Sequence, residues 1–303
     1  MKIFKEIDRQ AFTEKFGSKD QCYQYLVELK WSEGYNCKRC DSEIHIKGKQ
    51  PFSKRCSKCG YDESTTAGTL FHKLKFDINI AFEMLYEIVT NKKGANSIWL
   101  AEHFALNQKT TWLFRQKVQI AMKSSEKYPL ENEVHVDEFE IGTPQKGEQG
   151  RSQSDKKDRV VIALEYRNGK TGRGYAKVIN DYSAASLKPI FDTHIKNDAS
   201  ILADGWSGYK PIKEDYPNLK QTLSDKGKNF PMLHIQIRNF KNWLRGVHSY
   251  CDTEYLQRYI DEYFFRFNRR NHRKSILEKI ITRFIAHQPM TYMELKIVRD
   301  VDG

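Results

Sequence analysis

Between Glu133 and Ile141 the chain reads EVHVDEFEI. Apolar and polar side chains alternate along this stretch, the period-two pattern of a strand. Working outward, RVVIALEY at 159–166 is a second strand, Asn168-Gly169 and Thr171-Gly172 are turn residues, and 174–179 is a third strand. A helix follows over 183–196, capped by Ser183. The short apolar strand Ile201-Leu202-Ala203 then ends in Asp204-Gly205. The order strand, strand, strand, helix, strand, helix predicts an α/β layer fold whose mixed sheet has an antiparallel edge.

Upstream the pattern changes. Residues 1–66 are short-patterned and rich in Cys, Lys and Gly; 67–128 are helical in pattern; 129–303 form the α/β part. In the middle part Ile78, Phe82, Leu85, Ile88 and Val89 recur at spacings of three and four, one face of a helix. A second helix runs from Ser97 as N-cap to Phe104, Ala105-Leu106-Asn107 is a turn, and a third helix covers 108–122. This is helix-turn-helix spacing, and its second helix would bring Gln108, Lys109 and Thr111 to DNA base edges. Three small helices also pack together for purely structural reasons, so this segment leaves both readings open. Trp99 and Trp112 read as core.

The 303 residues suffice for two or three folded units, and with 39% hydrophobic and 13% aromatic residues the chain is not disordered as a whole. No run approaches the roughly 20 apolar residues that span a bilayer, and the first residues lack a signal-peptide pattern. The expectation is a cytoplasmic protein with no membrane partner. Against 39 Asp+Glu stand 51 Lys+Arg, a formal charge of +12, which suits a polyanionic partner.

Cys37-Lys38-Arg39-Cys40 and Cys56-Ser57-Lys58-Cys59 are two C-x-x-C knuckles separated by fifteen residues. Each tight turn aims two sulfurs at one point, and four thiolates so arranged make a structural Zn²⁺ site in a ribbon-sized unit. Cys22 and Cys251 stand alone and read as packing residues. Lys38, Arg39, Lys47, Lys49, Lys54, Arg55 and Lys58 surround the knuckles with only Asp41 and Glu43 opposed. Such a surface suits phosphate contacts or is simply solvated.

Asp137 lies mid-strand among apolar neighbours, where a charge is costly without a partner or an ion. Asp204 terminates a second core strand. Two acids placed this way can converge on divalent metal, which activates water or a 3′-hydroxyl and stabilises the leaving oxygen of a phosphodiester. His135 shares the strand face of Asp137 and reads as a core histidine, and His248 is open to the same reading. Glu138 faces the opposite side by alternation, which makes it the weaker candidate.

Taken in order, CKRC and CSKC, TTAGTLFHK at 65–73, HVDEFEIG at 135–142, ADGWSGY at 203–209, RNFKNWLRGVH at 238–248 and YIDEYFFRFNRR at 259–270 resemble the bacterial insertion-sequence transposases of the ISXO type. These are DDE-class enzymes with an N-terminal zinc ribbon. The resemblance implies a ribonuclease-H-like catalytic domain, Mg²⁺ or Mn²⁺ as catalytic cofactor, and cutting and joining of double-stranded DNA at the element's terminal inverted repeats and at target DNA. Asp137 matches the family's first catalytic aspartate and Asp204 its second. Asn239, 35 positions after Asp204, fits the third position, where relatives carry Glu or Asn. An Asn carbonyl donates a lone pair without neutralising charge, so Glu262 is the rival for completing the site.

Residues 234–283 hold eleven Lys/Arg against five acids, interleaved with aromatics. Lys241 and Arg245 are candidate DNA contacts, and the run Arg269-Arg270-Asn271-His272-Arg273-Lys274 is a candidate backbone clamp in which Arg269, Arg270 and Arg273 would neutralise phosphate. The aromatics read as core. The leading function is a transposase, a homo-oligomer during reaction because two ends must be brought together, working on the bacterial nucleoid. A DNA-binding regulator that has lost catalysis and a metal-dependent nuclease are the alternatives.

Overall fold

The computed structural model describes residues 8–142, 157–223, 225, 228–248, 251–272 and 275–296. The chain divides into two units, Met1–Met122 with His272–Gly303, and Lys123–Asn271. The expected three parts are thus redrawn at the C-terminal end: the segment after 271 folds with the cysteine-rich and helical segments.

In the first unit, α1 (Arg9–Phe16) and α2 (Lys19–Lys30) precede the cysteines, where the sequence pattern predicts no helix. Asp8 accepts the Ala11 N–H at 2.7 Å, and Ser18 with Gln21 forms a capping box. The two helices bury Phe12, Phe16, Cys22, Tyr25 and Leu26. A three-stranded antiparallel ribbon follows, β1 (His45–Lys47), β2 (Lys54–Cys56) and β3 (Asp62–Glu63). Lys30 on α2 reaches Glu63 on β3 at 2.7 Å, with side chains only 6% and 1% exposed. Lys38 also approaches Glu63, at 3.7 Å, but Lys30 is the buried partner, and removing Glu63 would leave the Lys30 charge uncompensated, so the pair ties helix to ribbon.

The helix α3 (Ile78–Thr90) buries the expected face, Ile78, Phe82, Leu85, Ile88 and Val89. In α4 (Ser97–His103) the N-cap is Asn96, whose side chain accepts the Trp99 N–H at 2.8 Å, one residue before the expected Ser97. A turn with Ala105 at φ 52° leads into α5 (Gln108–Met122).

The second unit is built on β4 (Glu133–Ile141), β5 (Asp158–Arg167), β6 (Lys170–Ile179), β7 (Ser200–Ala203) and β8 (Leu219–Gln221), in the order β6-β5-β4-β7-β8. The first three pair antiparallel, and β7 and β8 run parallel to β4. Asn168 and Gly169 have φ of 52° and 71°, the left-handed pair that a two-residue hairpin turn requires. Since two residues suffice, β6 starts at Lys170 and takes in the Thr171-Gly172 expected as turn. The helix α6 (Ala184–His194) is capped by Ser183 and lays Leu187, Ile190 and Phe191 against Val134, Val136, Val161, Ala163, Ile201 and Ala203. Two further helices, α7 (Pro231–Val247) and α8 (Leu256–Phe267), complete the layer: Phe240 of α7 meets Phe139 at 5.9 Å, and α8 packs along β6.

From the chain's last part, α9 (Ile276–Ala286) returns to the first unit, where Phe284 packs on Phe71 and Phe114, and α10 (Tyr292–Leu295) lies against α5. Among the described residues no helix is long and apolar enough to cross a membrane.

Candidate functional site

Strand β4 positions the acids. Its Val134 and Val136 point into the α6 core, while His135, Asp137 and Phe139 alternate to the face that carries α7. The parallel pairing of β4 with β7 ends at Val136 opposite Ala203, so Asp137, midway along β4, and Asp204, just past the carboxyl end of β7, come side by side. Crevices at such strand ends are where open α/β sheets bind their ligands. One carboxylate oxygen from each of Asp137, Glu138 and Asp204 lies within 4.8 Å of the other two. Asp137 Oδ1 accepts the Glu138 N–H at 2.8 Å, and Asp204 Oδ1 accepts the Trp206 N–H at 3.0 Å, a turn that holds the second acid at the strand end. Gln221, ending β8, donates to the Asp204 and Trp206 carbonyls at 3.1 and 2.6 Å.

Two further groups face this cluster. His234, in the first turn of α7, brings Nε2 to 3.6 Å from Asp137 Oδ2, and burial lowers its pKa. Tyr209 is fully buried, and its phenol is held well above the ordinary value, by burial first and then by the charges of Glu138, Asp137 and Asp204. Its hydroxyl has no hydrogen-bond partner at conventional geometry among the described residues. Three carboxylates this close repel one another unless a cation or protons intervene. All-oxygen donors suit a hard divalent ion, so the residues fit Mg²⁺ or Mn²⁺.

The remaining sequence candidates fall elsewhere. Asn239 is exposed on α7. At 3.6 residues per turn it lies roughly 140° round the helix from His234, on the opposite flank of the buried stripe that includes Ile237, Phe240 and Leu244. Glu262 is fully buried on α8, 4.0 Å from Arg266, and does not join the three clustered carboxylates. Lys241 sets Nζ over the Phe139 ring at 5.3 Å, and burial, then Arg245, lowers its pKa; Arg245 is exposed. Arg269 donates to the Phe265 carbonyl at 3.0 Å and covers that ring at 3.8 Å. Arg270 donates to the carbonyls of Phe267 and Thr171 and covers the Phe267 ring at 4.0 Å. Both residues are half-buried and their guanidinium groups hold these contacts within the fold, and Arg273 lies outside the described residues. On α5, Gln108 is exposed and donates to Ser97 Oγ at 3.0 Å, and Lys109 reaches the Tyr292 ring at 4.9 Å. Thr111 is fully buried, its hydroxyl donating to the Ser97 carbonyl at 2.7 Å, so it ties α5 to α4 instead of facing outward. His135 is buried, paired through Nε2 with Glu133 at 2.6 Å and packed on Tyr166 and Phe230, as a core histidine would be.

The four cysteines converge as their spacing predicts. Cys37 Sγ lies 3.6 Å from Cys59 Sγ and Cys40 Sγ 3.6 Å from Cys56 Sγ, with all four within 4.8 Å. A tetrahedral ion with Zn–S bonds of ~2.3 Å separates its sulfurs by about 3.8 Å, so the set fits Zn²⁺. The two knuckles repeat one geometry: Asp41 N–H donates to the Cys37 carbonyl and Gly60 N–H to the Cys56 carbonyl, at 2.9 and 3.0 Å. Both donors are left-handed, at φ 55° and 70°. The Cys59 N–H points at Cys56 Sγ from 3.5 Å and is the main reason that the Cys56 thiol is lowered to about 6.

A mixed α/β unit with acids clustered where a parallel strand pairing ends, in a chain with a four-cysteine centre compatible with a zinc ribbon, defines a DNA-processing enzyme once its family is known. Residues 129–268 match the ISXO2-like transposase domain, the family that the motif order resembles. The match supports an insertion-sequence transposase of the DDE type. No curated protein matches the chain.

Proposed function

We propose that this transposase cuts and joins DNA at the terminal inverted repeats of an insertion sequence, with Asp137 and Asp204 as the acids of a divalent-metal centre in a ribonuclease-H-like domain. The observation that carries the reading is the register of β4 and β7, which brings the two aspartates out side by side from adjacent parallel strands. The strand order, three antiparallel strands followed by two parallel ones, supports the ribonuclease-H-like assignment. When bound, Mg²⁺ or Mn²⁺ supplies a Lewis acid that activates water or a 3′-hydroxyl and offsets charge on the leaving oxygen. Asp137 and Asp204 would hold it, their orientation fixed by the amides of Glu138 and Trp206. The exposed Arg238 and Arg245 share the His234 side of α7 and would carry phosphates towards the acids. Zn²⁺ at the four cysteines would hold the ribbon that takes part in end recognition, and α5 would add contacts through Gln108 and Lys109. Bringing two ends together requires more than one copy of the chain, and such a reaction takes place on the nucleoid, in the cytoplasm.

The test is a reaction of the purified protein with DNA bearing the repeats that flank its coding region, in Mg²⁺ or Mn²⁺. Nicked and joined products are expected from the wild type, and binding without products from Asp137→Asn or Asp204→Asn. Wild-type protein that binds the ends and never cuts them would make the chain a regulator. Cut ends that are never joined would make it a nuclease.

A further inference from the structure

We propose that Glu138 is the third carboxylate of the divalent-cation site, held by the buried hydroxyl of Tyr209, and that Asn239 is not needed to bind the cation. The inference rests on the reading of Asp137 and Asp204 as cation ligands, and deepens it.

Alternation sends the Glu138 Cβ to the face opposite that of Asp137, but it does not fix where the end of the longer side chain lies. Here β7 stops at Ala203, opposite Val136, so from Asp137 onward this edge of β4 has no partner strand. The Asp137 carboxylate folds along the vacated edge to accept the Glu138 N–H at 2.8 Å. From the other face Glu138, with a longer side chain, comes round the same edge, and its carboxylate oxygen ends within 4.8 Å of those of Asp137 and Asp204. Neighbouring residues of one strand thus bring carboxylate oxygens to one point beside the edge that β7 leaves open.

Tyr209 points independently to the same place. It is fully buried, and the three acids whose charge acts on its phenol are Glu138, Asp137 and Asp204. A buried hydroxyl without a partner costs about 1–3 kcal/mol, and this one finds none at conventional geometry among the described residues. A metal-ligating carboxylate is ordinarily steadied by a hydrogen bond from outside the metal's own shell. The phenol is placed to give that bond to Glu138 once cation binding draws the carboxylates together. Charge supports the assignment as well. Asp137 and Asp204 bring two negative charges and Asn239 brings none, whereas Glu138 brings a third, which hard cations favour over an amide oxygen. Asn239, exposed on the far flank of α7 from His234, is left for contact with DNA.

The experiment is Mn²⁺ titration of the full, zinc-loaded chain without DNA, followed by electron paramagnetic resonance, with circular dichroism to verify folding. Glu138→Gln is expected to weaken Mn²⁺ binding about 100-fold and Tyr209→Phe about tenfold, in the range seen when groups around metal ligands are removed. Asn239→Ala is expected to stay within about twofold of wild type. If Glu138→Gln binds Mn²⁺ as wild type does while Asp137→Asn does not, Glu138 is no ligand and the aspartate site stands without it. Should Asp137→Asn also bind as wild type does, the cation site itself is misplaced and both readings fall. If Glu138→Gln does not fold, Tyr209→Phe, which keeps every carboxylate, decides the matter: unchanged affinity overturns the proposal.

Discussion

The side chain of Asn268 pairs with both backbone groups of Gly174, donating from Nδ2 to the carbonyl and accepting the N–H at Oδ1, each at 2.9 Å. Further along the same strand, Gln257 donates to the Ala176 carbonyl at 3.3 Å and accepts the Val178 N–H at 2.9 Å. Strand β6 ends the sheet on its side, and two amides, one on α8 and one just beyond it, take the place of the missing strand. An open edge would otherwise invite pairing with another chain. Asn268→Ala leaves both Gly174 groups without that partner and should cost about 1–3 kcal/mol, read as a lower urea midpoint for the unfolding of this unit. A change below about 0.5 kcal/mol would show that water replaces the amide at no cost.

Gln257 also donates to Asp261 Oδ1 at 3.0 Å, and Asp261 is an acid under strain. Burial raises its pKa from 3.8 to about 6, against the opposing effects of Gln257 and Lys123. The folded chain therefore holds this proton more tightly than the unfolded chain, and between about pH 4 and pH 6 its contribution to stability falls as pH rises. Asp261→Asn keeps an acceptor for Gln257 and removes the charge. The variant should be more stable at pH 7 by about 1–2 kcal/mol and should lack the decline between pH 4 and 6, which thermal melts across that range would detect.

How far the chain could be read without its structure depended on what each residue had as a neighbour. The strand at Glu133–Ile141 was legible to the residue because β5 pairs with it along its whole length and β7 along its first half, so alternation and burial coincide. Glu138 was set below Asp137 by that same rule, which fixes where a Cβ points and not where the end of a long side chain lies, and its carboxylate oxygen joins those of Asp137 and Asp204. The helices α1 and α2 escaped notice because they bury only five residues between them, though Phe12 with Phe16, and Cys22 with Leu26, carried the i, i+4 spacing and Ser18 with Gln21 the capping signal. His234 offered no signal: only the fold shows that the first turn of α7 meets Asp137. At Arg269 and Arg270 charge gave no sign of the contacts within the fold, where a guanidinium stacks on an aromatic ring and meets backbone carbonyls.

Zinc removal should act locally. Among the described residues the ribbon's buried cluster is Tyr35, Cys37 and Cys56, with Trp31, Cys40 and Tyr61 partly buried against it, too small to hold three short strands without the ion, whereas the helices of the same unit share an aromatic core of Phe12, Phe16, Phe71, Phe82 and Phe284. Metal analysis should give one zinc per chain, and none in Cys40→Ser. On chelation, limited proteolysis should open the chain between Cys37 and Cys59 while the far-ultraviolet helical signal persists. Disappearance of that signal in parallel would mean that the Lys30–Glu63 pair couples the helices to the ribbon.

The surface arginines and the internal ones predict opposite outcomes in DNA binding. At 100° per residue His234, Arg238, Lys241 and Arg245 fall within about 60° of one another on α7, and Arg238 and Arg245 are exposed. If that stripe lies along the phosphate backbone, every phosphate left without its cation takes about 0.9 from the slope of log K against log salt. Arg245→Ala and Arg238→Ala should each flatten the slope by about one and leave the melting temperature near wild type. Arg270→Ala should do the reverse, lowering stability because the guanidinium bonds the carbonyls of Phe267 and Thr171 and covers the Phe267 ring, while the slope stays as it was. Fluorescence anisotropy across a salt series, beside thermal melts of the same variants, separates the two. An Arg270→Ala protein with full stability and a flattened slope would return that residue to the DNA surface.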